Sequence, residues 1–488
     1  MDAILKTERL SCRRGPEGRE ALHDVCLTVR PGEFVLLAGK SGCGKSTLVH
    51  CACGLIPRIF PGQLRGKIEL HGRPMDVLAT WEIAERAGLV FQDPDHQLFA
   101  SIVEDEVAFG PENLALPQAE VACRVEDALK LTGLLGLRHR PTATLSFGQK
   151  RRVGIAGVVA LGPRLFLLDE PASVLDDDSA RSIIADIARI AANAGGAVLV
   201  AEHRLGYVLE HATRLVVLER GAIVYDGSPR AALDRGFCVQ HGLRVPACGS
   251  PKEPRPCAQA AEHVLQARGV CFAYAGRRSP ADEPRVLTDI DLDVAASAAT
   301  VIGGPNGSGK TTLLKILAGL LRPTSGTVRR CENNPACASN AERHSRGSGT
   351  AYIGHQPAYL FRCSQVAREL GSWLPPHACQ GSAASHLIEL LDLGRVLTRH
   401  PLALSEGESR RLAIAAAIAA QPRVLLIDEP SVGFDGYHLD CLLEALGTHA
   451  AGGRSLVVAS NDPDLLCRMP ACSIRLARTP NRLPGIAH

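Results

Sequence analysis

Two glycine-rich stretches leave this 488-residue chain little freedom in how it folds. Gly39 to Thr47 reads G-K-S-G-C-G-K-S-T directly after the apolar run Phe34-Val35-Leu36-Leu37-Ala38. Gly304 to Thr312 reads G-P-N-G-S-G-K-T-T after Thr300-Val301-Ile302. A short buried strand that feeds a glycine-rich turn and then a helix makes a cradle for phosphate. Gly39, Gly42 and Gly44 let backbone N–H groups turn inward, and the helix presents its positive N-terminal end. Lys45 can then reach the β- and γ-phosphates of a nucleotide and Ser46 can ligate Mg²⁺. Lys40, Ser41, Cys43 and Thr47 complete the first candidate ATP site. The second comprises Pro305, Asn306, Gly307, Ser308, Gly309, Lys310, Thr311 and Thr312 with Gly304, and Thr311 stands where Ser46 does.

The repeat extends well beyond these loops. Matched pairs Lys45/Lys310, Gln92/Gln356, Ser146/Ser405, Asp169/Asp428 and Asp176/Asp435 keep a nearly constant separation, which shrinks by a few residues before Ser405. One domain has been duplicated and fused. The boundary is expected in Gly236 to Ala261, where Pro246, Pro251, Pro254 and Pro256 interrupt any regular element. This divides the chain into a first domain at 1–240, a linker at 241–262 and a second domain at 263–488.

Apolar residues make up 46% and charged residues 22% of the chain, proportions of a globular protein with full cores. A net charge of +3 gives no electrostatic argument for nucleic acid, and none is expected as a partner. The 17 cysteines are scattered without ordered spacing, which suits reduced thiols better than a metal site or disulfide framework. The N-terminal residues lack the apolar core of a signal peptide. The longest apolar runs, Val153 to Leu161 and Leu412 to Ala420, are too short to span a membrane. A role at a membrane would therefore be peripheral.

In the first half, antiparallel strands are expected near Ile4 to Cys12 and Ala21 to Val29. Core strands follow at Phe34 to Ala38, Leu165 to Leu168 and Ala197 to Ala201, and helices at Gln118 to Leu134, Gly148 to Leu161 and Ser179 to Ala194. Strands alternating with helices imply an α/β fold with a largely parallel sheet. Its ligands bind at the carboxyl ends of the strands, where Lys45, Asp169 and His203 can converge. Gln92 to Leu145 reads as a separate, mostly helical lobe, and Arg330 to Gly349 as an exposed loop. Leu165 to Leu168 ends in Asp169-Glu170: Asp169 suits the Mg²⁺ shell, and Glu170 suits a general base that polarises the attacking water.

Leu145-Ser146-Phe147-Gly148-Gln149, Asp169-Glu170 and Ser173 to Asp176, in this order after the phosphate loop, resemble the ATP-binding-cassette superfamily. The resemblance covers both halves from near Ile4 to about Leu466. It implies two tandem P-loop cassettes, each a mostly parallel sheet with an antiparallel β subdomain and a helical lobe, using ATP and Mg²⁺. Leu404-Ser405-Glu406-Gly407-Glu408 is the second signature, departing at Glu406 and Glu408. In the family the signature contacts the γ-phosphate of the ATP held by the opposite half. Head-to-tail pairing within the chain would then join Lys45, Asp169, Glu170 and His203 to Ser405 and Gly407. It would likewise join Lys310, Asp428, Glu429 and Asn461 to Ser146 and Gly148, and Gln149 and Glu408 are counted with the ATP-binding residues. Gln92 and Gln356 match the glutamine that senses Mg²⁺ and couples to the membrane subunit, Glu429 the second catalytic acid, and His203 the switch histidine. Asn461 stands where the second histidine should be. Tyr274 resembles the aromatic that stacks on adenine, whereas the first half offers Arg14.

Val90 to Phe99, reading V-F-Q-D-P-D-H-Q-L-F, and Val103 to Leu114, reading V-E-D-E-V-A-F-G-P-E-N-L, closely resemble the ATPases of energy-coupling-factor (ECF) importers, including the cobalt and nickel ATPases. In those, the segment receives a helix of a transmembrane T subunit. This implies a peripheral ATPase at the cytoplasmic face of the cell membrane. Its partners would be a T-type coupling subunit and a membrane-embedded substrate-binding subunit, importing a vitamin, thiamine precursor or transition metal ion. A fused ATPase of a sugar importer and a soluble paired-cassette ATPase are the alternatives. The Asp93 to Leu114 sequence speaks against the first, and the Pro-rich linker and low net charge against the second.

Overall fold

A computed structural model describes residues 2–15, 20–173, 175–232, 235–244, 262–274, 285–330, 349–374, 382–469 and 472–477. Most of the expected linker, with its four prolines, and residues 331–348 of the expected loop lie outside these. The chain packs as two units whose boundary falls between Pro246 and Ala247.

The first unit begins with β1 (Leu5–Arg14), β2 (Glu20–Val29) and β3 (Phe34–Ala38), continues with β4 (Gly62–Leu70), β5 (Arg73–Pro74) and β6 (Ala87–Val90), and closes with β7 (Leu165–Asp169), β8 (Ala197–Ala201), β9 (Arg214–Glu219) and β10 (Ala222–Gly227). An antiparallel sheet runs β2-β1-β4-β5. The central sheet runs β10-β9-β3-β8-β7-β6 and is parallel apart from the β9–β10 hairpin. Every residue of β3, β7 and β8 is buried, because both faces of the parallel sheet are covered, and this is why these strands read as unbroken apolar runs. Val35 and Leu37 pack towards Leu48 and Val49 of the helix after the phosphate loop. Phe34 and Leu36 pack on the other face, with Ile183, Ile184 and Ile187 of helix Asp177–Asn193. Each such aliphatic side chain contributes about 1.5–3 kcal/mol by burial.

Helices Val103–Asn113, Gln118–Leu131 and Phe147–Leu161 form the lobe, with a core of their own that includes Val107, Val125, Leu129 and Val153. The second of these stops three residues before the expected Leu134. Gly133 adopts a left-handed φ of 69°, a conformation that ends helices, and Thr132 turns its hydroxyl back to the Ala128 carbonyl at 2.7 Å.

The second unit repeats the plan. It comprises β11 (His263–Phe272), β12 (Leu287–Ala295), β13 (Ala299–Gly303), β14 (Ser325–Arg330), β15 (Thr350–Ile353), β16 (Val424–Asp428), β17 (Ser455–Ala459) and β18 (Cys472–Arg475). Its antiparallel sheet runs β12-β11-β14, and its parallel sheet β15-β16-β17-β13-β18 matches β6-β7-β8-β3-β9 strand for strand. Among the described residues β10 has no counterpart.

A buried carboxylate shapes each lobe where the chain enters from the sheet. Glu106 accepts the backbone N–H groups of Phe99 and Ala100 at 2.7 and 2.6 Å on one oxygen. Glu369, on helix Val366–Trp373, accepts those of Arg362 and Cys363 at 2.9 and 2.8 Å, and its other oxygen takes the Trp373 indole N–H at 3.0 Å. Burial opposes the charge of Glu369, but these donors outweigh it and hold its pKa below the ordinary value. Removing such an acceptor leaves part-buried N–H groups unpaired. Glu106→Ala should therefore lower unfolding stability by about 1–3 kcal/mol. In urea denaturation this should read as a lower midpoint at unchanged slope, with Glu106→Gln the milder variant.

Candidate nucleotide sites

The strand order places β3, β8 and β7 side by side and parallel, so their carboxyl ends deliver Gly39, His203 and the pair Asp169-Glu170 to one edge. β13, β17 and β16 do the same for Gly304, Asn461 and Asp428-Glu429. Only glycine can open either loop. Gly39 has a φ of 143°, and a Cβ there would lie 2.2 Å from the Leu218 carbonyl oxygen. At Gly304, with φ 149°, it would lie 2.5 Å from that of Leu476. Gly42, Gly44, Gly307 and Gly309 also take positive φ, and Cys43 and Ser308 are buried against the loop. Lys45 and Lys310 start the following helices, and both are buried. The Lys45 ammonium donates to the Gly39 and Lys40 carbonyls at 3.0 and 3.2 Å, and that of Lys310 to Gly304 and Pro305 at 2.8 and 3.3 Å. Thr47 and Thr312, two residues on, are buried, and the Tyr274 hydroxyl lies 3.1 Å from the Thr312 hydroxyl. Tyr274 leaves half its surface exposed at the end of β11, while Arg14 is exposed at the end of β1.

Of the residues expected around Mg²⁺, the hydroxyl and the aspartate meet in both units, whereas Gln92 bonds Glu170 and Gln356 is exposed. Ser46 donates to Asp169 at 2.8 Å and Thr311 to Asp428 at 2.7 Å. Burial, then the neighbouring Glu170, pushes the Asp169 pKa up to about 7. The other Asp428 oxygen is buried without a partner, and burial raises this acid too. A hydroxyl beside a carboxylate that lacks compensation suits a hard divalent cation, so the residues present fit Mg²⁺.

The two glutamates expected to be catalytic are held differently. Both sit in left-handed backbone, with φ of 47° at Glu170 and 46° at Glu429. Glu170 receives Gln92 Nε2 at 3.2 Å on one oxygen and lies 3.1 Å from His203 Nε2 on the other. The same imidazole nitrogen is 3.3 Å from the Lys45 ammonium. Burial works against the charge of Glu170, but His203 and then Lys45 bring its pKa below the ordinary value. Glu429 instead takes the Ser460 hydroxyl at 3.0 Å and the Asn461 backbone N–H at 3.1 Å, both on one oxygen. Burial lifts its pKa to about 7 despite Lys310, 3.8 Å away. The Asn461 side chain faces the phosphate loop, accepting from Lys310 at 2.6 Å and donating to Asn306. Gln356 is exposed, and its side chain hydrogen-bonds to none of the described residues.

The signature residues open their helices within their own units. Ser146 caps Phe147–Leu161: its hydroxyl accepts the Gln149 N–H at 3.3 Å, and the Gln149 side chain returns to the Ser146 N–H at 3.0 Å. Ser405 and Glu408 form the same reciprocal box at 3.3 and 2.8 Å. Either Glu or Gln can close such a box, which accounts for the departure at Glu408. Gly148 is half-buried, and a Cβ on the buried Gly407 would meet the Gly433 carbonyl at 3.0 Å.

Two buried arginines escaped the sequence reading. Arg151 donates to the carbonyls of Phe91 and Gln92, bracing the segment that carries Gln92. Arg410 donates to His355 at 2.6 Å and to Asp428 and Glu429 at 3.2 and 2.6 Å, all carbonyl oxygens. The signal was an Arg-Arg pair in each signature helix, Arg151-Arg152 and Arg410-Arg411, but nothing local says that Arg151 alone is buried in the first and both members in the second. On the outer side of the Gln92 segment, Phe99 is 75% exposed and Phe109 48%, with ring centroids 5.8 Å apart. No helix among the described residues is long and apolar enough to cross a membrane.

Comparison with known proteins agrees with this geometry. The family model described as ABC transporter matches residues 22–173 and again 287–432. An ABC transporter ATP-binding protein, provisionally so named, of Methanosarcina mazei is 32% identical, the match covering 95% of this chain and 86% of that protein. A protein of Bacillus subtilis provisionally named HMP/thiamine import ATP-binding protein YkoD is 31% identical over 95% of this chain and 88% of its own length. An archaeal ribosome recycling factor, aABCE1, solved in complex with the ribosomal stalk protein aP1, shares the fold at 20% identity, with a TM-score of 0.63 over 96% of this chain and 89% of that one. The chain therefore belongs to the ABC transporter family, as an ATPase with two ATP-binding cassettes in one polypeptide.

Proposed function

We propose that this chain is the energy-coupling ATPase of an ECF-type importer for a micronutrient: a vitamin, a thiamine precursor or a transition metal ion. Residues 1–240 and 263–488 supply its two cassettes. It would work at the cytoplasmic face of the cell membrane, with a T-type coupling subunit and a membrane-embedded substrate-binding subunit. The observation that carries this reading is the Gln92 segment. At one end Gln92 touches the Glu170 carboxylate, and at the other Phe99 and Phe109 present an exposed aromatic pair. A partner helix docked on that pair could sense and set the state of the catalytic acid. The import-type name of the Bacillus subtilis relative supports the same direction.

Hydrolysis is assigned to the first site. ATP lies along the loop from Gly39 to Thr47, with Lys45 on the β- and γ-phosphates. Ser46 and Asp169 would hold Mg²⁺, which would supply positive charge against the phosphates. Glu170 accepts the proton of the water that attacks the γ-phosphorus as the bond to the departing ADP breaks, and His203 keeps Glu170 and Lys45 in register. What supports the assignment is that His203 stands between Glu170 and Lys45, whereas the side chain of Asn461 reaches only the loop. The second site is accordingly slow, or mainly holds nucleotide.

Removing a general base costs about two to four decades in rate. Glu170→Gln should therefore nearly abolish steady-state ATPase activity, with Glu429→Gln losing far less; equal losses would sink the asymmetry. Tagged wild-type chain should co-purify from membranes with a T-type subunit and a substrate-binding subunit, and Phe99→Ser with Phe109→Ser should lose both while unfolding at an unchanged midpoint. Recovery of ribosomes in their place would instead support a soluble paired-cassette ATPase.

A further inference from the structure

We propose that Glu202 and Arg204, on either side of His203, are positioning residues for hydrolysis at the first site. The inference rests on the role given to His203 above. Glu202 is 1% exposed at the end of β8. One of its oxygens accepts the backbone N–H of His203 at 2.8 Å and that of Arg204 at 3.3 Å. A buried carboxyl group thus closes the turn from which the imidazole leaves, and it satisfies two backbone N–H groups that would be costly to leave unpaired there. Arg204 ties the same turn in the other direction. It donates to the Leu175 carbonyl at 3.1 Å and to the Asp177 carboxylate, and its guanidinium lies 5.3 Å over the Tyr207 ring. Leu175 and Asp177 lie on the segment that leads from Glu170 into helix Asp177–Asn193. The backbone that presents His203 is therefore fastened both to its own strand end and to the chain that carries the glutamate.

The second unit lacks this device. Ser460 stands in the place of Glu202 and gives its hydroxyl to Glu429 itself. Asp462 replaces Arg204 and accepts from Ser431, so the tie there has the opposite charge. Glu202 and Arg204 thus accompany the half that keeps the histidine.

The test is steady-state ATPase kinetics of the full chain in a Glu429→Gln background, so that turnover reads the first site. An error of about 1 Å in a catalytic group costs on the order of a hundredfold. Glu202→Ala should lower kcat about ten- to hundredfold with little change in KM for ATP, because His203 acts on the reaction more than on binding. Glu202→Gln keeps an oxygen for both N–H groups and should recover most of the loss. Arg204→Ala carries the same expectation as Glu202→Ala and stands in for it if that variant does not fold. Adding either alanine to His203→Ala should slow turnover no further, since the residues act through the imidazole. An unchanged kcat in both alanine variants, or fully additive losses with His203→Ala, overturns the proposal while leaving the role of His203 intact. Retained turnover in His203→Ala would instead remove the reading on which it rests.

Discussion

Everything chemical in either unit depends on one constraint, the parallel pairing of three short strands. β3 pairs with β8 and β8 with β7, and each is apolar to its last residues because both faces of the sheet are covered. Parallel direction brings all three carboxyl ends to one edge, and the adjacent order brings lysine, histidine and glutamate within hydrogen-bonding reach. An antiparallel partner among them would send one of these residues to the far side of the domain. The antiparallel sheet and helical lobe add surfaces around this edge without altering it.

The duplication shows which parts of that edge are architecture and which are chemistry. Strand order, glycine opening, hydroxyl–aspartate contact and the buried arginine of the signature helix occur in both units. The partners of the glutamate that follows the aspartate do not. In one unit they are the side chains of Gln92 and His203, which lie on different elements. In the other they are Ser460 and the backbone of Asn461, neighbours on one strand end. A carboxylate held from two elements responds when either moves. Glu429 takes its hydrogen bonds from one strand end, with the Lys310 ammonium 3.8 Å away.

Much of this was legible because the signals are local. An apolar run ending in a functional residue names both its strand and its place at the edge, as at Asp169 and Asp428. Ser146 followed three residues later by Gln149, and Ser405 by Glu408, spell a helix cap, which the side chains of Gln149 and Glu408 close on the backbone. Thr132-Gly133 likewise signalled a helix end that the apolar pattern ran past. Glu106, Glu369, Arg151 and Arg410 were not legible. Each is a charged residue that bonds backbone groups outside its own helix, and no periodicity records which charge turns inward.

The backbone at the two glutamates has a separate consequence. A non-glycine residue held in left-handed conformation costs about 1–3 kcal/mol and persists only where its surroundings enforce it. Glu429 keeps that conformation to within a degree of Glu170, although its companions have changed. The second cassette has thus lost side chains and kept the scaffold that aims the acid. For anyone redesigning the protein, the acid of the second site already has its backbone, and what differs around it is side chains, at the strand end and in the segment that carries Gln356.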